Sequence, residues 1–282
     1  MDNYIGIFDS GFGGISVLND LINLMPNENY VYFADSANFP YGKKSKSELI
    51  NIGKNIIEKF NNRKSKALVI ACNTMSTSDL PYFASTFPDL KIIGTFPDYT
   101  TFLKPGTILY DSTLSYDKEN GLKAKKHKKK VLIIATSATC KSSFLLNNIA
   151  NSKNIIDVYI EPADFIAEAV EKDELENFSF KNKLIELFRE YKDIDYLLLG
   201  CTHFPFAIKQ IREILDDNVE ISSSGEITAK KCFEYITSNN LLSNVENPYI
   251  KIIDINIDDS KEALYRRLIN SKSDNISFSK TF

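Results

Sequence analysis

The sequence has little that marks a special environment. No stretch approaches the roughly 18 apolar residues that a membrane-spanning helix needs, so no membrane partner is expected. The opening MDNYIGIFDSG has neither a basic n-region nor an apolar h-region, which argues against a secretory leader and for a cytoplasmic protein. The four cysteines, Cys72, Cys140, Cys201 and Cys232, lie far apart with no close pair suited to a structural zinc site, and no metal is expected. In a reducing compartment they are expected to be free thiols. Positive charge is not in excess either. Lys and Arg number 34 against 37 Asp and Glu, a net charge of −3 that gives no field for nucleic acid. The one basic cluster, Lys123 to Lys130, is interrupted by Ala124 and His127 and has no aromatic residue for base stacking, so it is expected to be a solvated loop.

What is present belongs to a soluble globular chain: 282 residues, 43% hydrophobic and 25% charged, enough for two domains of ordinary size. Tyr4 to Phe8 has the pattern of a strand, followed by a glycine-rich turn over 9–14. Ile15, Leu18, Leu21 and Ile22 then recur at helical spacing, with Pro26 ending the run. Further strands are expected at 31–33, 67–71, 90–93, 131–135, 155–160, 196–200 and 219–222. Helices alternate with them: one with Ile50, Ile56, Ile57 and Phe60 on its apolar side, and others over 141–149, 163–170 and 181–191. Alternation of this kind predicts parallel α/β sheets covered on both faces. Residues 97–130 are the least regular part.

Side by side, the segments reveal an internal repeat. IGIFDS (5–10) is similar to LIIATS (132–137), and LVIACNT (68–74) to LLLGCTH (197–203); Ser10 and Ser137 are 127 residues apart, Cys72 and Cys201 129. Two matches at nearly one offset predict a duplicated unit. The expected architecture is therefore two pseudo-symmetric parallel-sheet α/β domains facing each other across a cleft: 1–97 with 225–282, and 98–224.

In parallel α/β sheets ligands bind at the carboxyl ends of strands, and the polar motifs here all fall at such ends. A lone cysteine there is commonly a small buried hydrophobe. Two at equivalent positions of a repeat point instead to paired chemistry, with Cys72 and Cys201 serving as base on one face of a carbon and acid on the other. A helix N-terminus is expected to lower a thiol's proton affinity. Asp9 and His203 then become helpers that hold or relay protons. The turn Gly11-Phe12-Gly13-Gly14 opens a helix whose N–H groups suit a carboxylate or phosphate, but it lacks the Lys-Ser/Thr ending of a P-loop. Ser10, Asn73, Thr74, Thr136, Thr139 and Thr202 supply short neutral groups fit for a small zwitterion, besides capping helices.

DSGFGG (9–14), ADSANFPYG (34–42), ACNT (71–74), TSAT (136–139) and GCTHFP (200–205) resemble, in order, the motif set of the glutamate racemases, members of the aspartate/glutamate racemase superfamily. The resemblance implies two facing α/β domains and conversion of L-glutamate to D-glutamate for peptidoglycan, without pyridoxal phosphate, metal or other cofactor. By position it makes Cys72 and Cys201 the acid/base thiols, with Asp9 and His203 their assistants. It makes Ser10, Pro40, Tyr41, Gly42, Asn73, Thr74, Thr136, Thr139 and Thr202 the substrate contacts. It also implies a homodimer, and an acidic residue assisting His203 that is Glu168 or Glu171. The rival readings are racemisation of aspartate or another small acidic amino acid, a cysteine amidohydrolase with one nucleophile, and a two-domain binding protein. The His at 203 after Cys-Thr favours glutamate over aspartate.

Overall fold

The alternation of apolar residues sorts directly into layers. In β1 (Tyr4–Asp9), Ile5 and Ile7 pack on one face of a sheet while Tyr4 and Phe8 pack on the other, all fully or nearly fully buried. A strand buried on both sides is the signature of a helix-covered parallel sheet. The computed structural model of the chain describes residues 3–99, 110–117, 121–150, 156–271 and 274–282. Among these no helix is long and apolar enough to cross a membrane.

The chain runs from β1 through α1 (Ile15–Leu24), β2 (Asn29–Ala34), α2 (Lys46–Asn62), β3 (Ala67–Ile70) and α3 (Asn73–Thr86) to β4 (Ile92–Gly94). On α2 the buried stripe is Leu49, Gly53, Ile56, Ile57 and Phe60, so Leu49 rather than Ile50 faces the core. A hairpin of β5 (Tyr110–Asp117) and β6 (Gly121–Lys128) follows. The second half comprises β7 (Lys130–Ala135), α4 (Ser137–Cys140), α5 (Ser143–Ala150), β8 (Asp157–Pro162), α6 (Asp164–Glu171), α7 (Phe178–Phe188), β9 (Tyr196–Gly200), α8 (Ile208–Arg212) and β10 (Glu220–Ser223). Ile155, an expected strand start, lies outside the described residues. The chain ends with α9 (Ser224–Ser238), β11 (Ile250–Asp254), α10 (Asp259–Leu268) and β12 (Ile276–Ser279).

Two parallel sheets result, ordered β12-β11-β2-β1-β3-β4 and β8-β7-β9-β10. The repeat is visible in this order: each half uses its second, first, third and fourth strands in the same sequence, with β11 and β12 added to the first sheet. One apolar core joins α1, α9 and the inner faces of both sheets, while separate cores sit under α2–α3 and under α5.

The lysine cluster is not the expected loop. β6 pairs antiparallel with β5, from Tyr110 opposite Lys128 to Asp117 opposite Gly121. Residues 110–117 thus give the lysine-rich segment a strand partner. Charge along a single segment says little about the strand it meets.

Candidate active site

Both cysteines leave their sheets at equivalent points. Beyond β3, Cys72 adopts an extended conformation and caps α3, whose backbone kinks at Asp79, two residues before Pro81. Beyond β9, Cys201 starts a turn that leads into a single 3-10 turn at Phe204–Ala207. Their exposures are 6% and 7%, and both line one cavity of about 270 Å³ between the two sheets. That is under the ~300–1,000 Å³ of sites for drug-sized ligands, so a small metabolite fits.

Ser10, Pro40, Tyr41, Gly42, Asn73, Thr74, Thr136, Thr202 and His203 line the same cavity. Asp9 and Thr139 are fully buried and do not line it. Thr139 stands behind Thr136, whose hydroxyl donates to its Oγ1 at 3.0 Å. Tyr41 is anchored from below, its hydroxyl donating to Asp35 Oδ2 at 2.6 Å, and Asn38 donates to the same carboxylate. The ADSANFPYG segment is thus a loop organised around the Asp35 carboxylate. Lys43 and Asp164, which carry no motif signal of their own, also line the cavity, as does Glu168. Asp164 is held by the Ser137 backbone N–H and hydroxyl, at 3.0 and 2.5 Å.

Several bonds tie the halves together across the cleft. Thr74 and Thr136 hydroxyls meet at 3.2 Å, Ser16 Oγ donates to Thr202 O at 2.7 Å, and Thr202 Oγ1 donates to Asp9 Oδ1 at 3.3 Å. Asn73 donates to Ser224 Oγ at 2.9 Å, and Ser224 donates in turn to Leu199 O at 3.0 Å.

The Cys201 side is a chain of polar atoms. Cys201 Sγ lies 3.8 Å from His203 Nδ1, and His203 Nε2 lies 2.7 Å from Glu171 Oε1. The carboxylate on His203 is therefore Glu171, while Glu168, three residues earlier on α6, faces the cavity. Burial alone would depress the imidazole, but its hydrogen bonds to Cys201 and Glu171 overcome this and raise its pKa well above the ordinary range. Asp9 is also raised, by burial, with His203 and the Gly11 N–H pulling the other way.

The Cys72 thiol is raised as well, by burial first and by the Asp9 charge second, offset in part by the Met75 N–H and the Ser10 hydroxyl. This reverses the expected lowering by the α3 N-terminus. A helix end supplies about 0.3–1 kcal/mol, less than a factor of ten in proton affinity, whereas burying an unpaired charge costs several kcal/mol.

In the glycine-rich turn the Gly11 N–H donates to the Asp9 carboxylate at 3.1 Å. Its glycines leave room for side chains: a Cβ on Gly13 would lie 2.3 Å from His203 Nδ1, one on Gly11 2.6 Å from Glu171 Oε1, and one on Gly14 2.7 Å from Asp9 Cβ. The turn is the floor on which the titratable groups are packed.

Comparison with known proteins identifies the family. No family model matches the chain. A glutamate racemase of Clostridium botulinum is 32% identical over 270 residues, covering 95% of this chain and 97% of its own length. The chain belongs to the glutamate racemase family. A glutamate racemase of Clostridium perfringens is 34% identical over 248 residues, 85% of each chain. Among solved structures, a glutamate racemase isoform of Bacillus anthracis superposes with a TM-score of 0.81 at 24% identity, covering 99% of this chain and 97% of that one. The Francisella tularensis glutamate racemase, in complex with D-glutamate, gives 0.78 at 23%, with 98% and 97% covered. These structural likenesses speak for the fold; membership of the family makes the chain an amino-acid racemase, an isomerase.

Proposed function

We propose that the chain interconverts L- and D-glutamate by two proton transfers at Cα, with Cys72 and Cys201 on opposite faces of that carbon. One observation carries this reading: both thiols line a single small cavity from matching strand ends of opposite halves. One thiolate takes the α-proton as the Cα–H bond breaks, and the other thiol gives its proton to the opposite face. The centre inverts and the two sulfurs exchange protonation states. Asp9 assists the Cys72 side and His203 the Cys201 side. The raised proton affinity of Cys72 keeps it a thiol in the empty site; a substrate ammonium in the cavity brings the positive charge that favours its ionisation. Ser10, Asn73, Thr74, Thr136, Thr202 and the Pro40-Tyr41-Gly42 turn hold the carboxylates and ammonium, with Thr139 acting through Thr136. Both transfers run through protein groups.

The same reading extends to context. D-Glutamate is the product a wall-building cell needs for peptidoglycan, the four free thiols suit the cytoplasm, and a homodimer follows the family resemblance. Residues 1–97 with 225–282 form one domain and 98–224 the other.

The decisive experiment follows circular dichroism with L-glutamate and L-aspartate side by side, and deuterium at Cα of recovered glutamate in heavy water. Loss of optical activity with glutamate, together with Cα deuteration, is expected. Turnover of aspartate alone, or Cys72→Ser or Cys201→Ser with near-normal turnover in both directions, overturns the proposal.

A further inference from the structure

The two half-sites differ in what lies behind them. Behind Cys72, Asp9 is 0% exposed, and its oxygens accept from Gly11 N–H at 3.1 Å and Thr202 Oγ1 at 3.3 Å. Behind Cys201, the path continues outward. His203 sits between the rings of Phe12 and Phe39, with centroids 5.7 and 5.8 Å away, so its polar contacts are through its two nitrogens. Nδ1 faces Cys201 and Nε2 faces Glu171. The Glu171 side chain is 23% exposed, yet it does not line the substrate cavity.

It lines a second cavity instead, of about 90 Å³, walled off by Phe39 and completed by Ser36, Asp254, Lys261, Leu264 and Tyr265. At roughly 30 Å³ each, about three water molecules fit there, and the wall offers the several polar partners that ordered water requires. Asp254 is fixed by Tyr265 OH at 3.0 Å and the Asn256 N–H at 2.9 Å. Lys261, 37% exposed and 3.6 Å from Asp254, also lines this cavity, so its lining reaches the protein surface.

We propose that this second cavity is a proton port for the Cys201 half-site, joining His203 to solvent through Glu171 while substrate occupies the first cavity. The proposal rests on the two-thiol reading above. After Cys201 has given its proton to Cα, the His203 imidazolium passes its Nδ1 proton to the thiolate and keeps on Nε2 the proton it shares with Glu171. Water in the second cavity then gives a proton to Glu171; the reverse sequence releases one to solvent when Cys201 next takes a proton from Cα, which returns Nδ1–H. One proton enters from solvent, one S–H bond forms, and no electron changes hands. Cys72 lines the substrate cavity itself and resets through it.

The test reads the imidazole directly. The sequence has two histidines, His127 and His203, so 15N-labelled protein gives an assignable side-chain spectrum. Exchange of the His203 Nε2 proton with water is measured in the wild type at saturating racemic glutamate, then in Leu264→Phe, which fills the second cavity, and in Glu171→Gln, which cannot relay a proton. Rapid exchange in the occupied wild type, slowed at least tenfold in either variant that keeps its far-ultraviolet circular dichroism, is expected. Protection of the Nε2 proton by glutamate, or unchanged exchange in a folded variant, overturns the port. Absence of Cα deuteration in the wild type is a separate outcome, which sinks the two-thiol reading itself.

Discussion

The Cys72 and Cys201 half-sites stand at equivalent places in a duplicated fold and are equipped differently. Asp9 precedes Ser10 as Thr136 precedes Ser137, and Thr74 follows Cys72 by two residues as His203 follows Cys201. Duplication therefore pairs Asp9 with Thr136 and His203 with Thr74. One end of this pseudo-symmetric arrangement holds two titratable groups whose charges act on each other, Asp9 and His203. The other holds two threonines whose hydroxyls meet at 3.2 Å. The repeat thus sets where each thiol stands, while the groups beside it differ: a buried carboxyl from a neighbouring strand near Cys72, and an imidazole from the same turn at Cys201.

The largest expected effect tests whether the thiols are equal despite these surroundings. Cys72→Ser and Cys201→Ser should each lower racemisation by about 10²–10⁴-fold or more in both directions, measured by circular dichroism from either enantiomer. A variant impaired in one direction only breaks the equivalence.

Next comes the partner of His203. Glu171→Gln removes a group that raises the imidazole, so the His203 titration seen by NMR and the alkaline limb of kcat/KM should both move to lower pH. The stability consequence has a definite sign. The folded pKa lies above the unfolded one, so the pair's contribution is full below about pH 6.5 and fades as pH rises through the folded value. Melts of the variant across this window should lose that part of the pH dependence; a parallel curve contradicts the assignment.

A smaller effect is expected at the floor of the site. Gly13→Ala puts a methyl group against the His203 ring, which has to shift, at a cost of about 1–3 kcal/mol in stability by thermal melt. The accompanying fall should be in kcat more than in KM if the displaced group relays protons as proposed. The smallest effect belongs to the neutral end. Thr74→Val removes one side of the hydroxyl contact and should cost about 0.5–1.5 kcal/mol. It should leave the pH profile where it is, and a shifted profile would mean that the threonine end takes part in proton transfer.

Much of this was readable in one dimension. The strand-helix alternation gives the two parallel sheets, and the matched LVIACNT and LLLGCTH segments put the cysteines at equivalent ends. Other features depend on partners distant in the chain. The lysine run becomes β6 because residues 110–117 pair with it. Glu168 and Glu171 lie three residues apart on one helix, and only packing against His203 separates cavity wall from hydrogen-bond partner. Lys43, Asp164 and Glu168 reach the cavity through loop and helix placement that no local pattern encodes.

The sequence by itself determined the class of fold, its duplication, and the identity of two thiols with an acid and an imidazole near them, because periodicity and motif order are local properties. The tertiary structure decided the electrostatics of that pair. Burial outweighs the helix end at Cys72, glycines make room for His203 and Glu171, and Glu171, behind Cys201, lines a second cavity. Proton affinity is set by what surrounds a group in space, and those surroundings are assembled from segments far apart in the chain.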